Sequence, residues 1–131
     1  MTPQSLALST PATPSRTARF WDRVADRYAK KPVGDEAAYR HKLARTQSYL
    51  RPDMAVLEIG CGTGSVALEH APHVRHIQAT DVSGRMIAIA REKAAAAGVT
   101  NIRFEQAGVD QVVAEPGSLD AVFAMNILHL L

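Results

Sequence analysis

The spacing of the hydrophobic positions changes at Pro52. Before it, apolar residues recur every three or four positions; after it, they gather in short unbroken runs separated by helical stretches. From Arg16 to Lys31, Phe20, Val24, Ala25 and Tyr28 form one stripe, which predicts an amphipathic helix with those residues turned inward. Pro32 and Gly34 end it. Asp35 is placed to cap a second helix that carries Ala38, Leu43, Gln47 and Leu50 and stops at Pro52. Beyond Pro52 the runs predict strands over Ala55–Ile59, Ile77–Val82, Ile102–Ala107 and Leu119–Asn126. Helices fall between them at Ser65–Ala71 and Gly84–Ala97, the second capped by Ser83 and closed by Gly98, with one or two helical turns over Val109–Ala114. Strands without polar alternation are covered on both faces. Strand and helix in alternation mean right-handed crossovers and a parallel sheet. The predicted fold is therefore α/β, a doubly wound parallel sheet (residues 52–131) behind an N-terminal helical cap (16–51). Residues 1–15, rich in Ser, Thr and Pro, read as a disordered tail.

Composition narrows the class. Apolar residues make up 47% and charged residues 21% of the 131, enough for one domain and one core. No apolar run approaches the roughly 18 residues of a membrane span, and the N-terminus lacks the basic start and apolar stretch of a secretory signal. The single cysteine, Cys61, excludes an intrachain disulfide, and the five histidines have no metal-ligand spacing. A cytoplasmic protein without a metal is the expectation. The net charge is only +2, but ten of the fifteen basic residues lie between Arg16 and Arg51. Such a segment suits an anionic partner, a phosphorylated substrate or RNA. It equally suits a solvated helix face, because Asp22, Asp26, Asp35 and Glu36 are interleaved. No aromatic-basic platform of the kind that stacks RNA bases stands out in the sequence.

The candidate chemistry sits at V56-L-E-I-G-C-G-T-G64. Gly60, Gly62 and Gly64 follow the first strand and open a helix. Glycine there permits positive φ and close approach of a ligand to the main chain, and in open parallel sheets ligands bind at the carboxyl ends of the strands. The spacing is not that of dinucleotide binding, which places its third glycine at position 65, here Ser65. This ranks a nicotinamide-dependent oxidoreductase low. Asp81 closes the second strand about 20 residues further on. Its carboxylate could accept from both hydroxyls of a ribose, or serve as an acid near the helix start ahead of Ser83.

Four segments in order, V56-L-E-I-G-C-G-T-G64, A79-T-D-V-S-G-R-M86, N101-I-R-F-E-Q-A-G108 and L119-D-A-V-F-A-M-N126, resemble the successive motifs of class I S-adenosylmethionine-dependent methyltransferases. The likeness runs from about Phe20 to the last residue and is nearest to bacterial small-molecule enzymes of the methyltransferase-domain type. It implies a Rossmann-like core, S-adenosylmethionine as cofactor and S-adenosylhomocysteine as product. It also implies roles. Glu58 would reach the methionine ammonium, directly or through water. Gly60, Cys61 and Gly62 would lie against the methionine and ribose. Asp81 would hold the ribose, and Val82 and Met86 would sandwich the adenine. Gly108 and Val109 would meet the adenine edge through main-chain groups. Asn126 would sit near the sulfonium methyl, and Tyr28 could close over the methionine end. Tyr28, Glu58 and Met86 also have plain structural readings. Where the family often carries Asp or Asn to bond the adenine amino group, this chain has Gly108, with Asp110 two residues later.

Methyl transfer from a sulfonium is an in-line displacement from an activated leaving group. It asks for alignment and exclusion of water more than for a base, so no catalytic residue is assigned. His129 is the one base near the site, and a lone histidine in an apolar run is commonly structural. Cys61 reads as a packing residue. The family fold has seven strands, and this sequence supplies four. The expectation is therefore a truncated chain whose C-terminal strands and acceptor-binding parts are missing, and whose fourth strand is an open edge. A small-molecule acceptor follows from the resemblance, RNA is less favoured, and a homo-oligomer could form through the open edge. The alternative function is a non-catalytic interaction module that uses that edge.

Overall fold

The structure, a computed structural model, describes residues 15–30, 34–112 and 117–124. Its sheet has four parallel strands, β1 (Ala55–Ile59), β2 (His76–Asp81), β3 (Ile102–Gln106) and β4 (Ala121–Phe123), in the order β3-β2-β1-β4. The helices are α1 (Arg16–Lys30), α2 (Glu36–Gln47), α3 (Ser65–His70) and α4 (Gly84–Ala96), with short 3₁₀ turns at Ala71–His73 and Val109–Gln111. The doubly wound parallel arrangement expected from the alternation is present. Val56 and Leu57 point to opposite sides of β1 and are both buried, so the sheet is covered on two faces. The larger core runs from Val56 through Ile77, Ala79, Ile87, Ala90 and Phe104.

Local signals placed the elements well. Asp35 accepts from the Ala38 N–H and caps α2; Ser83 accepts from the Met86 N–H and caps α4. Gly98 follows α4 at φ 69°. Asp120 brackets the start of β1, its N–H donating to the Ala55 carbonyl and its carboxylate accepting from the Ala55 N–H, both at 2.8 Å.

Three expectations need correction. α2 ends at Gln47, not at Pro52. The N–H groups of Tyr49 and Leu50 bond three residues back, and Ser48 Oγ donates to the Arg45 carbonyl, so the chain tightens into a turn before the proline. β4 begins at Ala121 instead of Leu119, because Asp120 is spent on β1. The expected strand end at Asn126 lies outside the described residues, as do His129 and Lys31. Most consequential is α1. Its buried positions are Ala18 and Ala25, while Phe20 and Tyr28, expected inward, are 47% and 43% exposed. The helix is rotated because its two acids seek the start of α4. Asp22 accepts from Ser83 Oγ at 2.6 Å and from the Arg85 N–H at 3.0 Å, and Asp26 pairs with the Arg85 guanidinium at 2.7 Å. Ala25 lets the helices close together, with Met86 and Ile89 beneath and Trp21 packed alongside.

Gly64 shows how tightly the glycine turn is packed. It has φ 82°, and a Cβ there would lie 3.0 Å from Ala90 Cβ and 3.1 Å from the Phe104 ring. Gly64→Ala combines left-handed strain with overpacking and is expected to cost about 2–4 kcal/mol. Urea unfolding checks this; a cost below about 1 kcal/mol would mean the turn relaxes freely.

Candidate functional site

The site is built at the carboxyl ends of β1 and β2. Gly60, Gly62 and Gly64 have φ of 70°, 57° and 82°, values only glycine adopts at little cost. The turn is held onto β2 from both directions. The Cys61 N–H donates to the Thr80 carbonyl at 2.9 Å, and the Gly62 N–H donates to Asp81 Oδ2 at 2.9 Å. The other Asp81 oxygen accepts from the Ser83 N–H at 3.0 Å. Asp81 thus ties the glycine turn to the start of α4, and each of its oxygens keeps a lone pair beyond these bonds. Burial pushes its carboxyl above the ordinary range, against the pull of these two N–H groups.

Glu58 lies on β1 just before the turn and is 3% exposed. Its Oε1 has no hydrogen-bond partner, and it forms no ion pair among the described residues. Burial, with the Asp81 charge adding, pushes its carboxyl up to about 8. Glu58 is thus buried beside the half-buried Asp81, and among the described residues neither is paired with a cation, which makes charging Glu58 costly.

The remaining sequence-predicted residues fall in three groups. Tyr28 does approach the turn: its Cε1 lies 4.0 Å from where a Cβ on Gly62 would be, and that space is otherwise open. Val82 and Gly108 are adjacent, with Val82 Cγ1 3.8 Å from a Cβ built on Gly108, and Val109 is exposed beside them. Gly108 itself is turned inward: its N–H donates to Gln111 Oε1 at 2.7 Å, and its carbonyl accepts from the Gln111 N–H. Asp110 Oδ1 lies 3.0 Å from that same virtual Cβ, so a side chain at position 108 would require Asp110 to shift by a few tenths of an ångström. Met86 is packed in the α1–α4 core at 2% exposure, and Cys61 is buried with its thiol held up by burial. Asn126 lies outside the described residues.

Two contributors were missed in the sequence. Asp22 reaches across to α4 beside Asp81, whose carboxyl it helps to raise. Lys93 donates to Ser65 Oγ at 2.8 Å and to Thr63 Oγ at 3.3 Å, pinning the far side of the turn. The F-W-D triplet at residues 20–22 was the available signal for Asp22; nothing local marks Lys93. Among the described residues no group of His, Cys, Asp and Glu could hold a metal, and no helix is long and apolar enough to cross a membrane.

An α/β sheet with a short-spaced glycine turn after β1 and an acid closing β2 defines a nucleoside-binding class of Rossmann-like domain. Comparison with known proteins makes this specific. A family model described as "Methyltransferase domain" matches residues 56–131. The chain belongs to that family, the class I S-adenosylmethionine-dependent methyltransferases. The uncharacterized methyltransferase YcgJ of Bacillus subtilis is 30% identical over 79 residues, covering 60% of this chain and 31% of that protein. Its crystal structure superimposes with a TM-score of 0.60 at 29% identity, over 63% of this chain and 36% of the other. A release factor glutamine methyltransferase from Cereibacter sphaeroides is 32% identical over 142 residues, covering 92% of this chain and 50% of that protein. Magnesium protoporphyrin IX methyltransferase from Synechocystis PCC 6803, solved with bound SAM, shares the fold with a TM-score of 0.70 at 17% identity, over 92% and 66% of the two chains. The chain spans half or less of the length of the two curated relatives named here.

Proposed function

We propose that this chain binds S-adenosylmethionine across the glycine turn and supports methyl transfer from it to an acceptor. The observation that carries the reading is the pair Glu58 and Asp81, a buried acid with an unpartnered oxygen beside a half-buried one, neither paired with a cation among the described residues, flanking a turn of positive-φ glycines. A cationic amino acid joined to a ribose fits that combination. The cofactor, when bound, supplies a sulfonium methyl that is already activated for displacement.

The protein's part is to bind and orient. Glu58 takes the ammonium and becomes charged as it does so. Asp81 takes the ribose hydroxyls on its remaining lone pairs while its backbone bonds keep it fixed. Gly60 to Gly62 admit the ligand to the main chain, and Tyr28 overhangs Gly62 to keep water from the methionine end. Val82 and Val109 flank the adenine. Asp110, leaning over Gly108, accepts from the adenine amino group in place of the acid or amide the family often has at position 108. Met86 acts from beneath, as packing for α4.

The relatives differ in acceptor: by name one acts on a glutamine of a release factor and another on magnesium protoporphyrin IX. A small-molecule acceptor is the reading supported by the resemblance.

Calorimetric titration of the chain with S-adenosylmethionine and S-adenosylhomocysteine, with NAD as control, tests the proposal. Saturable one-to-one binding of both sulfur compounds and none of NAD is expected. Binding of NAD alone would overturn it.

A further inference from the structure

The rotation of α1 that buries Ala18 and Ala25 leaves an unusual surface on its outside. Arg16, Arg19, Arg23, Arg27 and Lys30 are all exposed. At 3.6 residues per turn these five positions fall within an arc of about 80° and extend over about 21 Å of helix. The helix has only two acids, Asp22 and Asp26, and both are turned to the start of α4. The stripe is thus concentrated on one side of the helix.

Phe20 sits at its edge, 47% exposed, in a depression of about 410 Å³ lined by Arg16, Thr17, Arg19, Phe20 and Arg23. An exposed aromatic ring ringed by guanidinium groups is the combination that stacks an unpaired base while neutralising its phosphates. From Phe20 the aromatic contacts continue edge to face, first to Trp21 at 5.2 Å and then from Trp21 to Tyr28 at 6.0 Å. Tyr28 overhangs the glycine turn.

We propose that α1 is a docking face for single-stranded RNA, with phosphates along the cationic stripe, a base on Phe20, and the strand directed toward Tyr28 and the glycine turn. The face stands on the surface of α1 itself; only its direction toward a methyl acceptor rests on the cofactor reading above. An anionic membrane would want a broad apolar face, whereas Phe20 is a single ring among arginines. A duplex offers no unstacked base to fill the depression.

The test uses the whole chain with a fluorescein-labelled oligouridine of about 20 nucleotides, an RNA duplex of equal length, and phosphatidylserine vesicles, read by anisotropy and co-sedimentation across a salt series. The single strand is expected to bind tightest, with a log–log salt slope near −3, as for about four neutralised phosphates. Phe20→Ala is expected to weaken it about tenfold. The triple variant Arg16→Glu, Arg23→Glu, Arg27→Glu should weaken it at least about a hundredfold at low salt, with the melting temperature and S-adenosylmethionine titration unchanged. Equal or tighter binding to duplex or vesicles, or indifference to Phe20→Ala, would overturn the proposal. RNA binding that fails while the cofactor titrates normally sinks this inference alone; the reverse pattern sinks the cofactor reading and leaves the docking face.

Discussion

Asp81→Ala is expected to lower affinity for S-adenosylmethionine at least about a hundredfold, to the point where calorimetry registers no binding. Two charge-assisted bonds to ribose hydroxyls, at roughly 1.5–3 kcal/mol each, set that scale. From the sequence alone, this residue reads as a ribose contact or as an acid near the start of a helix. The structure adds a second role, because the carboxylate accepts from the N–H groups of Gly62 and Ser83. The alanine variant should therefore also lose about 1–3 kcal/mol of stability through those orphaned donors. Asp81→Asn keeps one acceptor oxygen but sets an NH2 against the other backbone N–H, so it should restore only part of that stability while affinity stays reduced. An alanine variant that binds the cofactor as tightly as the parent would refute the ribose assignment.

Glu58→Gln should trade function for stability. In the free chain the Glu58 carboxyl is raised from 4.5 to about 8. A group whose folded-state pKa is raised favours the fold most when protonated. Its contribution is fully present below about pH 4.5 and is lost as the pH rises towards 8. Over that window the loss amounts to as much as about 5 kcal/mol, a large share of a small domain's stability. Glutamine carries no such penalty. The variant should melt higher than the parent at pH 8, with the gap closing toward pH 5. The same variant should lose most cofactor affinity. In the parent, the arriving ammonium favours the carboxylate, so binding near pH 7 should release close to one proton, and affinity should climb until about pH 8. Titration in buffers of differing ionisation enthalpy reads that proton directly. A parent chain that releases none, or a variant with the same pH–stability profile as the parent, would mean that Glu58 is already satisfied in the free protein.

How much of this was legible in advance depended on distance along the chain. The caps at Asp35 and Ser83, the closing Gly98 and the glycine turn were readable because each is decided within a few residues. Periodicity misplaced the buried face of α1. Phe20 and Tyr28 look like inward residues by spacing, but Asp22 and Asp26 bond to residues about 60 positions away and their geometry wins. The same blindness hid Lys93, which matters only once α4 lies beside Thr63 and Ser65.

By itself the sequence determined the alternation of strand and helix, the position and spacing of the glycines, and the acid that closes β2. Those follow from backbone sterics and hydrophobic period, which act locally. Tertiary structure alone decided that Glu58 is buried beside Asp81 with no cation paired to either among the described residues, that Asp81 also secures the turn, and that five basic residues and Phe20 face outward together. Burial and pairing across distant segments arise only when the chain is packed, and there desolvation and hydrogen-bond geometry outweigh local preference.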